Sequence, residues 1–234
     1  MSYFCGVSAF TLFSFPIIAV LIGVILAAIL ERFSKSALWL LLPFSGSFLL
    51  SITLFELLPE LFSQPETKVI SLAVLLGILL QIFLEFFSKG AEHGHIHLSE
   101  SGQSSAYFSS VFLALFIHAF IEGSPLVHNQ NLSFAVFLHK IPVSMVLFQF
   151  VRKAKLSSLL STTVILIFAL MTPLGILLGK SLEGHPSQLY LNAVSAGIFL
   201  HVSTAILFES EKGHRFNSKK IAAIISAIVL AYFL

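Results

Sequence analysis

Residues 106–127 read Ala106-Tyr107-Phe108-Ser109-Ser110-Val111-Phe112-Leu113-Ala114-Leu115-Phe116-Ile117-His118-Ala119-Phe120-Ile121-Glu122-Gly123-Ser124-Pro125-Leu126-Val127. A bilayer is spanned by about 20 predominantly apolar residues, and this run is long enough. Yet it carries an imidazole and a carboxylate. An ionisable group at that depth costs about 2.5–3.5 kcal/mol on insertion scales, so it is seldom there for stability alone. His118 and Glu122 are four apart and therefore share one face of a helix. The next apolar run brings His139-Lys140-Ile141-Pro142 and a second imidazole. Neutral imidazole nitrogen and carboxylate oxygen bind zinc and its neighbours at about 2.0–2.2 Å. Together these groups suit a divalent metal crossing a membrane.

The same apolar texture extends through the whole chain. Of 234 residues, 57% are hydrophobic and 10% charged, and mean hydropathy is +0.97. Soluble domains carry about 25% charge, so the composition reads as a polytopic, all-α integral membrane protein. Eight spans are expected, at about 8–30, 38–61, 69–88, 106–127, 132–151, 157–180, 188–209 and 217–234, all within one transmembrane domain covering 1–234. The eighth is barely long enough. The net charge of +2 gives no case for nucleic acid as a partner. The chain has no aspartate, so acid chemistry falls to eleven glutamates. Its one cysteine, Cys5, excludes an internal disulfide or a thiolate cluster. The first apolar run lacks the basic start of a signal peptide and is read as a retained span.

Lys and Arg set the expected orientation. Connections one, three, five and seven hold Arg32, Lys35, Lys89, Arg152, Lys153, Lys155, Lys212, Arg215, Lys219 and Lys220, against only Lys68 and Lys180 in the others. By the positive-inside rule both termini lie outside the cytoplasm, most naturally across a plasma (inner) membrane. The polar loop of residues 89–105, with His93, His95 and His97, then faces the cytoplasm. Such a tract captures metal readily, or is simply a polar linker. One internal echo is present. Gly46-Ser47-Phe48-Leu49 before Phe55-Glu56 resembles Gly197-Ile198-Phe199-Leu200 before Phe208-Glu209. If spans 1–3 and 6–8 are related, they are inverted repeats around spans four and five, a 3+2+3 plan found in many transporters.

Other candidates surround the central trio of His118, Glu122 and His139. Pro125 and Pro142 each remove a backbone hydrogen bond and loosen the carbonyls of Ile121 and Leu138, which membranes tolerate beside a cavity. Glu56, in Glu56-Leu57-Leu58-Pro59-Glu60, could draw cations into an entrance. Glu60 reads equally as a solvated helix end. His201 could relay metal onward, or form an interhelical hydrogen bond. Glu85 sits near a boundary. For the trio itself, the bland alternative is a buried Glu–His or Glu–Lys pair that locks two helices together.

These residues resemble the ZIP family of divalent-metal transporters. Glu56-Leu57-Leu58-Pro59-Glu60 is similar to the family's His-Leu-Leu-Pro-Glu, with glutamate for histidine. His118 to Gly123 resembles its His-x-x-x-Glu-Gly, and His139-Lys140-Ile141-Pro142 resembles the His-Lys-x-Pro-Glu form of one branch. Thr172-Pro173-Leu174-Gly175 and Ser195-Ala196-Gly197-Ile198-Phe199-Leu200 resemble its sixth and seventh spans. The resemblance implies eight spans, outward termini, often a homodimer, and Zn²⁺, Fe²⁺ or Mn²⁺ as transported substrate with no required cofactor. Two positions depart from the family: Val143 stands where a glutamate usually follows the span-five proline, and Ala119 where Asn or Asp is frequent. Relatives with a two-metal site place an oxygen ligand at Lys140. A charged lysine has donors and no lone pair, so Lys140 would occupy the second ion's position and balance Glu122. The rival class is an integral-membrane zinc hydrolase, whose metal would need three ligands and an open position. No His-Glu-x-x-His supports it, and a receptor or scaffold is a third reading.

Overall fold

The computed structural model describes residues 9–30, 36–88, 105–209 and 218–234. His93, His95 and His97 lie outside the described residues. Within them every regular element is helical, as expected where the bilayer offers the backbone no water and each segment must satisfy its own N–H and C=O groups. Helix α1 is Ala9–Leu30. Span two is composite: α2 (Ser36–Ile52), a π-helical turn (Thr53–Leu57) and α3 (Leu58–Phe62). There follow α4 (Thr67–Ser88), α5 (Ser105–Ile121) with a 3₁₀ turn (Ser124–Val127), α6 (Gln130–Lys153), α7 (Ser158–Ser181), α8 (Pro186–Glu209) and α9 (Ser218–Tyr232).

Seven of these helical segments are long and apolar enough to cross a membrane, each 20–24 residues. Of the eighth expected span, the described residues hold a 15-residue helix, Ser218–Tyr232, about 22 Å at 1.5 Å per residue. Large apolar side chains face outward along the spans, among them Leu75, Leu79 and Phe83 of α4. In water such a surface would aggregate; in lipid it is the natural boundary. The protein is an integral membrane protein.

The most extensive helix associations are α4 with α8, α1 with α6 and α2 with α9, followed by α2 with α6 and α5 with α7. Exchanging spans 1–3 for 6–8, and four for five, maps α4–α8 onto α2–α9 and α1–α6 onto α5–α7, while α2–α6 maps onto the much slighter association of α5 with α8. Phe48 and Phe199, equivalent in the sequence echo, are both fully buried. Because lipid tails are as apolar as leucine, helices in a membrane approach through small residues. Gly77 of α4 and Gly197 of α8 do this at one seam: a Cβ on Gly77 would strike the Val194 carbonyl, and one on Gly197 the Val74 carbonyl. Gly123 and Gly175 do it at the seam of span four with α7, where a Cβ on Gly175 would strike the Phe120 carbonyl oxygen. That second seam brings α7 against the broken end of α5.

Gly175→Val should therefore force two backbones apart, at more than about 3 kcal/mol. Gly184, in the α7–α8 turn with φ +78° and nothing within 4 Å of an added Cβ, should cost about 1–2 kcal/mol as Gly184→Ala. Thermal unfolding in detergent, with monodispersity as a second readout, checks that order.

Candidate metal centre

Helix α5 ends at Ile121, and Glu122 and Gly123 form the turn leading into the 3₁₀ segment. Pro125 explains the break, because it has no N–H to offer the Ile121 carbonyl. That carbonyl is taken instead by the Ser195 hydroxyl of α8, at 2.9 Å. The loosened backbone group expected from the sequence is thus satisfied by a neighbouring helix, as a buried carbonyl in hydrocarbon must be.

The break turns Glu122 into the interior, where it is 1% exposed. Its two oxygens face different partners. Oε1 meets the Lys140 ammonium of α6 and accepts from the Thr172 hydroxyl of α7 at 2.7 Å. The Thr172 hydroxyl also stands 2.8 Å from the Ala119 carbonyl, a position the glycine seam makes possible. Oε2 faces His118 Nε2 at 3.4 Å. Lys140 is itself buried, with Nζ 4.5 Å above the centre of the Phe168 ring. A cation held between a carboxylate and an aromatic face keeps its charge matched without water.

His118 Nδ1 lies 3.2 Å from the Gln81 side-chain oxygen of α4. The His139 ring is 6.3 Å from that of His118, centroid to centroid, and is equally buried. The structure therefore places His118, Glu122, His139 and Lys140 in one buried cluster. Among the described residues no three His, Cys, Asp or Glu side chains stand close enough to hold a metal together as they are.

Glu56 and His201 lie elsewhere. Glu56 is on the π-helical turn, where the Leu58 N–H reaches back five residues to the Thr53 carbonyl. Pro59 withholds the N–H that would bond Phe55 in a regular helix, and such turns often accompany functional sites. Glu56 Oε1 accepts from Asn131 Nδ2 at 2.7 Å. Asn131 is in the first turn of α6, eight residues before His139, or about 12 Å along the axis. His201 of α8 meets Glu85 of α4, Nε2 to Oε2 at 3.5 Å, with both side chains about one-fifth exposed. Glu85 is one turn beyond Gln81 on α4, so a polar series runs from Glu122 through His118 and Gln81 to Glu85 and His201. In the connections, His128 Nε2 and Glu183 Oε1 stand 3.6 Å apart as an exposed pair.

Gln81, Thr172 and Glu85 were not read as site residues from sequence. Thr172 carried a signal within Thr172-Pro173-Leu174-Gly175, and Gln81 carried one as the single polar residue between Ser71 and Glu85. Breaking a buried ion pair leaves an unmatched charge, at about 3–5 kcal/mol. Lys140→Met should cost that much, and adding Glu122→Gln should recover most of it. Unfolding midpoints of the two single variants and the double variant in detergent measure the coupling.

A sequence model for the family described as ZIP Zinc transporter matches residues 88–231, more than half of the chain. No curated protein matches.

Proposed function

This chain belongs to the ZIP family of zinc transporters, whose members move divalent metals across membranes and are not enzymes, and we propose that it carries Zn²⁺ toward the cytoplasm through the His118–Glu122–His139 cluster. Fe²⁺ and Mn²⁺ are the alternative substrates. The observation that carries this reading is the 3.4 Å separation of His118 Nε2 and Glu122 Oε2. Two ligand atoms about 2.1 Å from a tetrahedral ion stand about 3.4 Å apart, so one ion fits between them without moving either. His139 completes the protein ligands after an approach of about 1 Å, since two imidazoles on one tetrahedral ion have centroids about 5 Å apart. Water supplies the fourth position.

Lys140 fits the same scheme. It keeps Glu122 Oε1 while Oε2 serves the metal, so the buried carboxylate is never left bare. One ion per protomer follows, because the ammonium occupies the place where a second would sit. Lys140→Asp with Ala119→Asn should raise the bound metal toward two per protomer or alter selectivity, measured by elemental analysis of the purified protein. Glu56 serves the outer approach and the His201–Glu85 pair the inner exit, with both termini outside and the membrane a plasma (inner) membrane. The helix partnerships that exchange under the 3+2+3 relation support inverted repeats and alternating access between two bundles.

His118→Ala and Glu122→Ala should each abolish ⁶⁵Zn uptake into proteoliposomes at matched protein content; near-normal uptake by either would refute the proposal. Replacing His93, His95 and His97 by Ser should leave the maximal rate within a few-fold and change the response to high metal on the loop's side. Complete loss of uptake in that triple variant would make the loop part of the pathway.

A further inference from the structure

Gln81 is fully buried on the inward stripe of α4, in line with Ile70, Ala73, Val74, Gly77, Leu84 and Ser88. An amide in that position has no stabilising role in a purely apolar contact, since burying it without a hydrogen bond costs about 1–3 kcal/mol. Its oxygen is 3.2 Å from His118 Nδ1. A neutral imidazole carries one N–H, and the partner of one nitrogen decides the state of the other. With Nδ1–H donating to Gln81, the lone pair is on Nε2, the nitrogen 3.4 Å from Glu122 Oε2. Two lone-pair atoms then face each other across a gap the width of one metal coordination edge. In the other tautomer Nε2–H would donate to Glu122, and the same gap would close to a cation.

We infer that Gln81 is the positioning residue that selects the metal-binding tautomer of His118, and that it does so from a neighbouring helix. α4 packs most extensively on α8, and α5 packs on both α7 and α4. Displacing α5 along α4 breaks the Gln81–His118 hydrogen bond and lets the imidazole take the tautomer whose Nε2 cannot ligate. Metal affinity is thereby tied to conformation: high while the amide is in place, lower once α5 has moved. This rests on His118 being a metal ligand.

The test uses the full chain with ¹⁵N-labelled histidine, purified metal-free in detergent, with His118 assigned by the signal missing from His118→Asn. The expected spectrum shows His118 protonated on Nδ1 with an unprotonated Nε2. Gln81→Met should lose that preference and bind Zn²⁺ 10–100-fold more weakly. Gln81→Glu, which still accepts from Nδ1, should keep the tautomer and recover most of the affinity. A native His118 protonated on Nε2 would overturn the inference, and so would Gln81→Met with unchanged Zn²⁺ affinity. The tautomer is read without metal on the native protein, so the result stands apart from whether the cluster binds Zn²⁺.

Discussion

Glu122 is a single carboxylate shared by three helices at the centre of an apolar bundle. Lys140 of α6 and Thr172 of α7 hold one oxygen, and His118 of α5 faces the other. A buried charge must be matched or it shifts to neutrality, so the placement of all three helices follows from keeping this group satisfied. The seam of Gly123 and Gly175 serves that end. Without side chains at Gly123 and Gly175, α7 comes close enough for its threonine to reach both Glu122 and the Ala119 carbonyl. A bulkier seam would leave the carboxylate with one partner fewer.

The same interaction explains how a polar break is tolerated at depth. Glu122 sits where α5 stops, and the carbonyl that Pro125 releases is taken by Ser195. Span two has its own irregularity, the π-helical turn beside Pro59, and it too presents a carboxylate, Glu56, held by Asn131. Both departures from regular helix coincide with a proline and a glutamate. In hydrocarbon the backbone has no reason to be irregular except where a neighbour satisfies it, so these two places are where the protein has diverted backbone geometry toward its polar groups.

How far the sequence was legible follows from this chemistry. The spans were visible because length and apolarity are local properties, and among the described residues seven of eight are borne out by length. The family was visible in His118 to Gly123 and in His139 to Pro142. Which face of each helix is buried was far harder to read. Lipid-facing and core-facing side chains are both apolar, so α4 shows Leu79 and Phe83 to lipid and Leu84 to the core with nothing in their chemistry to tell them apart. Only small and polar residues mark the inner face. That is why the contacts of Gln81 and Thr172, made 37 and 50 residues away in sequence, came from the structure, although both residues stand out as polar groups in apolar runs. Lys140, by contrast, could be expected to balance Glu122, because a lysine beside an intramembrane carboxylate has few other ways to remain charged.

The most direct measurement is X-ray absorption at the zinc edge on the purified, Zn²⁺-loaded protein. The account predicts four nitrogen and oxygen ligands at about 2.0 Å, two of them imidazole, with the imidazole scattering halved in His118→Ala. A shell of oxygen ligands without imidazole, or one unaffected by loss of His118, would contradict it.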